Sequence, residues 1–325
     1  MLDVDIRPPA DRIAYHDKIF LIGSCFTEHI GRRLEELKFS VLQNPSGILF
    51  DPVSVCKSLD SYIEQKVYGE NDLFLLNELW QSWQHHSQFS GMNAADVLKQ
   101  INASQQAAHK HLKEASWLII TLGSSFSYRL AETKQPVANC HRAPRQWFDK
   151  HLLTIEETTG ALNEIIAKLK AFNPYINIVF TVSPVRHIRD GVIENNRSKA
   201  RLIEAVHSIV EQYEHAHYFP AYEIVIDVLR DYRFYDIDLV HPNYPATEFV
   251  FVKFVKAFID EDSQQLMEEI KALVTSFKHK PFQPETEAHK AFLQNNSQKV
   301  KALQEKYPKL DFGKEMEYFS KRQNL

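Results

Sequence analysis

Two short segments carry side chains that could do chemistry together. The first is Gly23-Ser24-Cys25-Phe26, which ends the apolar run Lys18-Ile19-Phe20-Leu21-Ile22. That run reads as a buried strand. The residues after the turn read as an amphipathic helix, with Ile30, Leu34 and Leu37 on one face and Glu28, Arg32, Arg33 and Glu36 elsewhere. A strand, a tight turn and a helix N-terminus aim backbone N–H groups at one spot and favour negative charge there. A hydroxyl (Ser24) or a thiol (Cys25) on such a turn is placed as a hydrolytic nucleophile would be. The second segment is Asp236-Ile237-Asp238-Leu239-Val240-His241-Pro242-Asn243. A nucleophile needs a base within reach, and the base needs an orienting carboxylate. Asp238 and His241, three apart in a loop, can meet locally. The same spacing also suits a capped turn with an ordinary loop histidine, but its place late in the chain, before the last core helix, favours the chemical reading.

The elements that must position these groups alternate. Strand-like runs lie at 39–43, 117–122, 177–182 and 217–219, and helical patterns at 51–67, 94–114, 155–171, 196–215 and 246–259. Continuous apolar strands separated by helices imply a parallel sheet covered on both faces, with ligands at the carboxyl ends of the strands. The turns after Ile22, Gln43, Leu122 and Val182 are therefore the ones to read for chemistry. Beyond residue 260 the texture becomes charged and helix-prone, at 263–277 and 285–306 with a linker at 279–284. The expected division is an α/β domain over 1–260 and a helical appendage over 261–325, packed on the core rather than mobile.

Composition bounds the function. Among 325 residues, 25% are charged and 44% hydrophobic, and the net charge is −4, which gives no basic field for nucleic acid or an anionic membrane. No apolar run approaches a membrane span, and the N-terminal residues have no signal-peptide pattern. Cys25, Cys56 and Cys140 are an odd set without pairing pattern, which suits free thiols in a reducing, cytoplasmic setting. There is no CxxC, no HExxH, no GxGxxG and no P-loop. No metal and no cofactor are expected; a metal site from Asp238, His241 and His187 matches no usual ligand spacing.

At this point the residues carry a resemblance. Gly23-Ser24-Cys25-Phe26 resembles the signature of the GSCFA family, and Thr121-Leu122-Gly123-Ser124, Asn139-Cys140-His141, Thr181-Val182-Ser183-Pro184-Val185 and Asp231-Tyr232-Arg233-Phe234-Tyr235 through His241-Pro242 resemble its shared segments in order. The match covers roughly 15–260. That family is similar to the SGNH (GDSL-like) hydrolases. The resemblance implies a three-layer α/β/α fold around a five-stranded parallel sheet, and esterase, lipase or carbohydrate O-acyl chemistry. Laying Gly23 on the superfamily's Gly-Asp-Ser turn puts Cys25 on the nucleophile. A thiol is plausible there, because helix N-termini lower thiol pKa. The rival register uses Ser24 and leaves Cys25 as a small buried hydrophobe.

The same mapping assigns the remaining roles. Gly47, in Asn44-Pro45-Ser46-Gly47, would offer an oxyanion N–H; a plain turn glycine is the other reading, and the two are compatible. The third block lacks its usual asparagine and reads Gly123-Ser124-Ser125, so the oxyanion donor would come from Gly123, Ser124, Ser125 or Asn139. Arg186 and His187, after the fourth strand, would line the rim and grip an anionic or sugar group. Trp80, Trp83, Trp147 and Tyr128 would make a sugar platform or, as is commoner, pack in the core. Two functions follow from these readings. One is an acyl-ester hydrolase or O-acyltransferase for a small-molecule or carbohydrate ester, with an acyl-CoA donor possible for transfer. The other is a non-catalytic carbohydrate-binding or scaffold protein on the same fold.

Overall fold

The computed structural model describes residues 2–321. In chain order the elements are β1 (Lys18–Gly23), α1 (Cys25–Glu36), β2 (Ser40–Gln43), α2 (Pro52–Ile63), β3 (Phe74–Leu76), β4 (Leu79–Gln81), α3 (Ala94–Glu114) and β5 (Trp117–Leu122). Next come β6 (Phe126–Leu130), β7 (Pro136–Val137), β8 (Phe148–Leu152), α4 (Ile155–Phe172), β9 (Asn177–Val182), α5 (Val192–Gln212) and β10 (Ala216–Tyr218). A single helical turn α6 (Ala221–Glu223) widens into a π-helical stretch, Ile224–Leu229, before α7 (Tyr244–Phe258), α8 (Glu261–Lys278), α9 (Glu287–Lys306) and α10 (Gly313–Lys321).

The central sheet has the order β2-β1-β5-β9-β10, and every pairing is parallel. Side chains alternate along its buried strands. Ile19, Leu21, Trp117, Ile119 and Val179 face one core, shared with Phe26, Ile30 and Leu34 of α1 and Val250, Phe254 and Phe258 of α7. Phe20, Ile22, Leu118, Ile120, Phe180 and Val182 face the other, under α2 to α5. Both faces are dry, which is why these strands are apolar throughout rather than alternating. The result is the expected three-layer α/β/α arrangement on a five-stranded parallel sheet.

The strand order places the site. The chain winds outward from β1 to β2, then returns to the other side of β1 with β5. Ligand crevices in such sheets form where the winding reverses, outside the carboxyl ends of the strands. Here that point lies between β1 and β5, where Gly23 pairs with Thr121.

The C-terminal helices sit on the layer that carries α1. Leu266 and Ile270 of α8, Leu293 and Val300 of α9, Phe312 and Phe319 all belong to the core that contains Ile19. Lys38, just past α1, reaches into them and pairs with the buried carboxylate of Glu315 at 2.8 Å. Two small pieces were not expected from sequence: the β3–β4 hairpin and the antiparallel β7-β6-β8 sheet. Among the described residues, no helix is long and apolar enough to cross a membrane.

Candidate active site

The β1–α1 turn is built around two residues with different exposures. Gly23 has φ +137°, and a Cβ there would lie 2.1 Å from the Thr121 carbonyl oxygen of β5. Glycine is therefore the residue that lets β1 run flush against β5 into the turn. Ser24 comes next as the N-cap of α1. Its N–H donates to Thr121 O at 3.0 Å, its Oγ accepts from the Phe26 N–H at 3.3 Å, and it is 1% exposed. Cys25 is the first helical residue and is only partly buried. The serine thus closes the helix end, and Cys25 is the less buried of the two.

The electrostatics of Cys25 differ from the expectation. Its own N–H and that of Phe26 act to lower the thiol pKa, as does Lys199, but burial and the nearby Glu28 carboxylate push it up more strongly. Desolvation outweighs the helix terminus here.

Asp238 and His241 do come together. The imidazole Nδ1 lies 2.6 Å from Asp238 Oδ2, while Oδ1 accepts the N–H groups of Val240 (2.9 Å) and His241 (3.0 Å). Those backbone donors, with the imidazole, hold the Asp238 carboxyl down at about 2. The loop is a tight one: Tyr235 bridges to Pro242, Asp236 N–H donates to His241 O at 2.8 Å, and Leu239 takes φ +58°. His241 lies near enough to His29 on α1 and to His187 after β9 for its charge to lower both. Among the described residues, no hydrogen bond joins the Cys25 sulfur or Ser24 to His241.

Several sequence expectations are corrected. The Gly47 N–H is bonded within its own turn, to Asn44 O at 2.7 Å, so Gly47 (φ +78°, packed on His86) is a turn glycine. The N–H groups of Gly123 and Ser124 both donate to Phe50 O, at 2.8 and 3.0 Å. The Ser124 hydroxyl accepts from Phe126 N–H and contacts Ser198, and Ser125 is buried against Ser198. Asn139 Oδ1 turns back to the His141 N–H. These five residues therefore have their expected donor or acceptor groups engaged elsewhere, apart from the Asn139 amide nitrogen. The Cys25 N–H, at the helix start, has no backbone acceptor among the described residues.

Arg186 is likewise occupied. It donates to Leu239 O at 3.1 Å, and its guanidinium lies 4.3 Å from the Tyr235 ring centroid, so it clamps the Asp238–His241 loop. His187 remains at the rim, with its ring edge-on to Phe50 and its pKa lowered to about 4 by burial first and then by Lys199 and His241. Trp83 stacks on Phe74 and meets Phe148, and Trp80 packs on a small satellite core, so both have packing roles. Trp147 is the exposed tryptophan of the set.

Two further residues escaped the sequence reading. Lys199 on α5 is 1% exposed, and its Nζ donates to Gly123 O and Ser183 O, both at 2.6 Å. The signal was present: Asn195, Ser198, Lys199, Leu202, Val206 and Ile209 form the buried stripe of α5, and a lysine on such a stripe is anomalous. The second is Asn44, whose Oδ1 accepts the Gly23 N–H at 2.9 Å while its buried Nδ2 has no partner.

Asp51 caps α2 beside Phe50, accepting from Ser54 N–H and Oγ. It is buried, no cation pairs with it among the described residues, and burial lifts its pKa to about 6 despite those bonds. A carboxyl raised in the fold stabilises below its unfolded value of about 4 and loses that contribution as pH rises through about 6. Asp51→Asn keeps the cap and removes the charge. It should stabilise the protein at pH 8 by about 2 kcal/mol and be neutral near pH 4, as read from urea midpoints at the two pH values.

A comparison with family models matches residues 18–254 to the GSCFA family and residues 270–324 to the GSCFA domain protein, C-terminal domain. No curated protein matches the sequence. Among solved structures, an acetyl xylan esterase (Est2A) from the rumen bacterium Butyrivibrio proteoclasticus aligns at 11% identity and a TM-score of 0.39, over 75% of this chain. The alignment spans 64% of that protein, less than two thirds of its length. The family match runs from β1 through most of α7 and takes in the β1–α1 turn and the Asp238–His241 loop, so the chain belongs to the GSCFA family.

Proposed function

We propose that the protein cleaves or transfers an acyl ester through a covalent acyl-enzyme on Cys25, in the manner of the SGNH hydrolases it resembles. The observation that carries this reading is the Asp238–His241 pair. The 2.6 Å contact fixes Nδ1 and leaves Nε2 as the working nitrogen, and the imidazole lies near His29 of α1, the helix that Cys25 opens. In the proposed cycle the Cys25 sulfur attacks the ester carbonyl. The Cys25 N–H holds the oxyanion. His241 Nε2 takes the Sγ–H proton and gives it to the departing alcohol, then takes one from water or from an acceptor hydroxyl that resolves the thioester and returns it to the sulfur. Substrate binding must draw the exposed His241 loop toward the sulfur, since catalytic hydrogen bonds tighten in the complex. The substrate class is an acylated small molecule or carbohydrate. Three free cysteines suit a cytoplasmic setting.

A second reading, a carbohydrate-binding or scaffold protein on this fold, is favoured by the engaged N–H groups of Gly47, Gly123 and Ser124. Acyl trapping separates the two. After incubation with an activated acetyl ester, peptide mapping by mass spectrometry should find acetyl on Cys25, absent in Cys25→Ala and lost or much reduced in His241→Ala. Acetyl on Ser24 would move the nucleophile by one residue. No His241-dependent label on either residue, across acetyl and longer acyl donors, would favour the scaffold.

A further inference from the structure

We propose that the groove between α1, α7 and α8 holds the acyl chain of the ester, so that the substrate carries a medium or long alkyl chain and not an acetyl group alone. This deepens the ester reading of the Asp238–His241 site and rests on it. The groove encloses about 1140 Å³. Helical spacing builds its walls. On α1 the wall is the stripe of His29, Arg32, Arg33 and Glu36. On α7 it is Tyr244, Phe251, Val252 and Val255, and α8 adds Met267 and Val274. Arg33 ties the first two walls, donating to Thr247 O at 3.0 Å and pairing with Glu248 at 2.8 Å. Lys278 of α8 pairs with Glu36 of α1 at 2.9 Å and ties the third.

The groove begins at the proposed chemistry. Its near end is bounded by Pro242, which follows His241 in the chain, and by Asp236, whose N–H donates to His241 O at 2.8 Å. His29 bounds the same end. It lies one helical turn after Cys25 on the same face of α1, about 6 Å along the axis. From His29 to Glu36 the wall runs on for about 10 Å. A chain attached through a carbonyl at Cys25 therefore has a path away from the turn, along α1 and α7 toward α8.

The lining selects the occupant. Phe251 and Met267 are buried at its base, Val255 and Val274 are half-buried, and Val252 and Tyr244 are 53% and 72% exposed. The polar side chains beside this apolar strip are largely engaged with their neighbours. Arg32 pairs with Glu28, Arg33 with Glu248, and Glu36 with Lys278. Thr247 Oγ1 donates to Tyr244 O at 3.0 Å, and Gln264 Nε2 donates to Ile259 O at 2.7 Å. A sugar in the groove would need such groups free to replace its bonds to water. The lining also carries five lysines and arginines against four carboxylates, which gives no strong field for an anionic occupant. An uncharged alkyl chain gains from the apolar strip and leaves the ion pairs intact.

The test uses the full-length protein and the p-nitrophenyl esters of acetate, butyrate and octanoate. Each methylene half covered by the groove should raise kcat/KM about twofold, so octanoate should exceed acetate about fiftyfold. Val252→Glu adds a charge to the strip from α7, and Thr275→Trp fills it from α8; both positions are exposed. Each should cut the octanoate-to-acetate ratio about tenfold or more, and either suffices if the other fails to fold. Val67→Glu, at an exposed position outside the groove, should keep the parent ratio. Calorimetry with octanamide reads the groove without the ester chemistry. Octanamide should bind the parent and lose about tenfold in affinity in both groove variants. Acetate cleavage with no octanoate advantage, or an advantage that survives both substitutions, overturns the proposal. Binding of cellohexaose but not of octanamide overturns it in favour of a sugar groove. Octanamide binding that Val252→Glu weakens, with no turnover of any ester, would keep the groove as an alkyl site and remove the ester reading instead.

Discussion

Gly23→Ala is expected to cost the fold on the order of 4 kcal/mol, combining a strained backbone with an overpacked contact. Its φ of +137° lies where side chains other than glycine are rarely found, and the new Cβ would meet backbone, not a flexible side chain, at 2.1 Å from Thr121 O and 2.8 Å from Thr121 C. Relief requires β1 and β5 to part at their carboxyl ends. That movement strains the Ser24 N–H bond to Thr121 O and the Gly23 N–H bond to Asn44 Oδ1, the two contacts that set the turn. Urea unfolding would report the loss. Gly160→Ala on α4 is the matched control, because nothing lies within 4 Å of its added Cβ. It should be stabilising by about 0.5–1 kcal/mol through helix propensity. A Gly23→Ala protein as stable as the parent would mean the turn can open freely, and Cys25 would then not be held where the proposed chemistry needs it.

The sheet was legible because its strands are buried on both faces. Trp117–Leu122 and Asn177–Val182 are continuous apolar runs, and their bounds agree with the sequence expectation. The small β7-β6-β8 sheet was not legible. Phe126–Leu130 and Phe148–Leu152 mix apolar with charged residues, are only partly buried, and pair across a long intervening loop. The Asp238–His241 contact was legible because it is local, three residues apart in one tight loop. The oxyanion donors were not, because a sequence shows which residues own N–H groups but not which carbonyls take them. Phe50 O takes two of them, and Phe50 carries no chemical signal of its own. Arg186 looked like a ligand-gripping cation for the same reason: its partners, Leu239 O and the Tyr235 ring, are about fifty residues away. Lys199 was hidden differently. A lysine in a charged helix looks solvated until the buried stripe of α5 is followed residue by residue.

Asp238→Asn should slow acyl transfer by about a thousandfold or more if His241 is the proton carrier, the scale seen when the orienting carboxylate of a triad is neutralised. The carboxylate does two things here. Oδ1 holds the loop by accepting from Val240 and His241 N–H, and Oδ2 accepts from the imidazole, which keeps the proton on Nδ1 and the lone pair on Nε2. An asparagine can keep the first role through its single oxygen, but then turns an NH2 toward Nδ1. The favoured tautomer reverses, and Nε2 becomes a donor that cannot take a proton. The loop should therefore stay folded while the chemistry fails, so stability in urea and the Cys25 alkylation midpoint should barely change. The pH behaviour follows from the sign of the Asp238 shift. Its pKa is depressed to about 2, so its contribution to the loop is present above the usual carboxylate value of about 4 and is lost only as pH falls through about 2. Any acid limb of the rate nearer neutrality must then belong to another group, and it should persist in the residual activity of Asp238→Asn. A loss smaller than about tenfold would take the general acid–base role away from His241 and leave the pair as the capped turn that its spacing also allows.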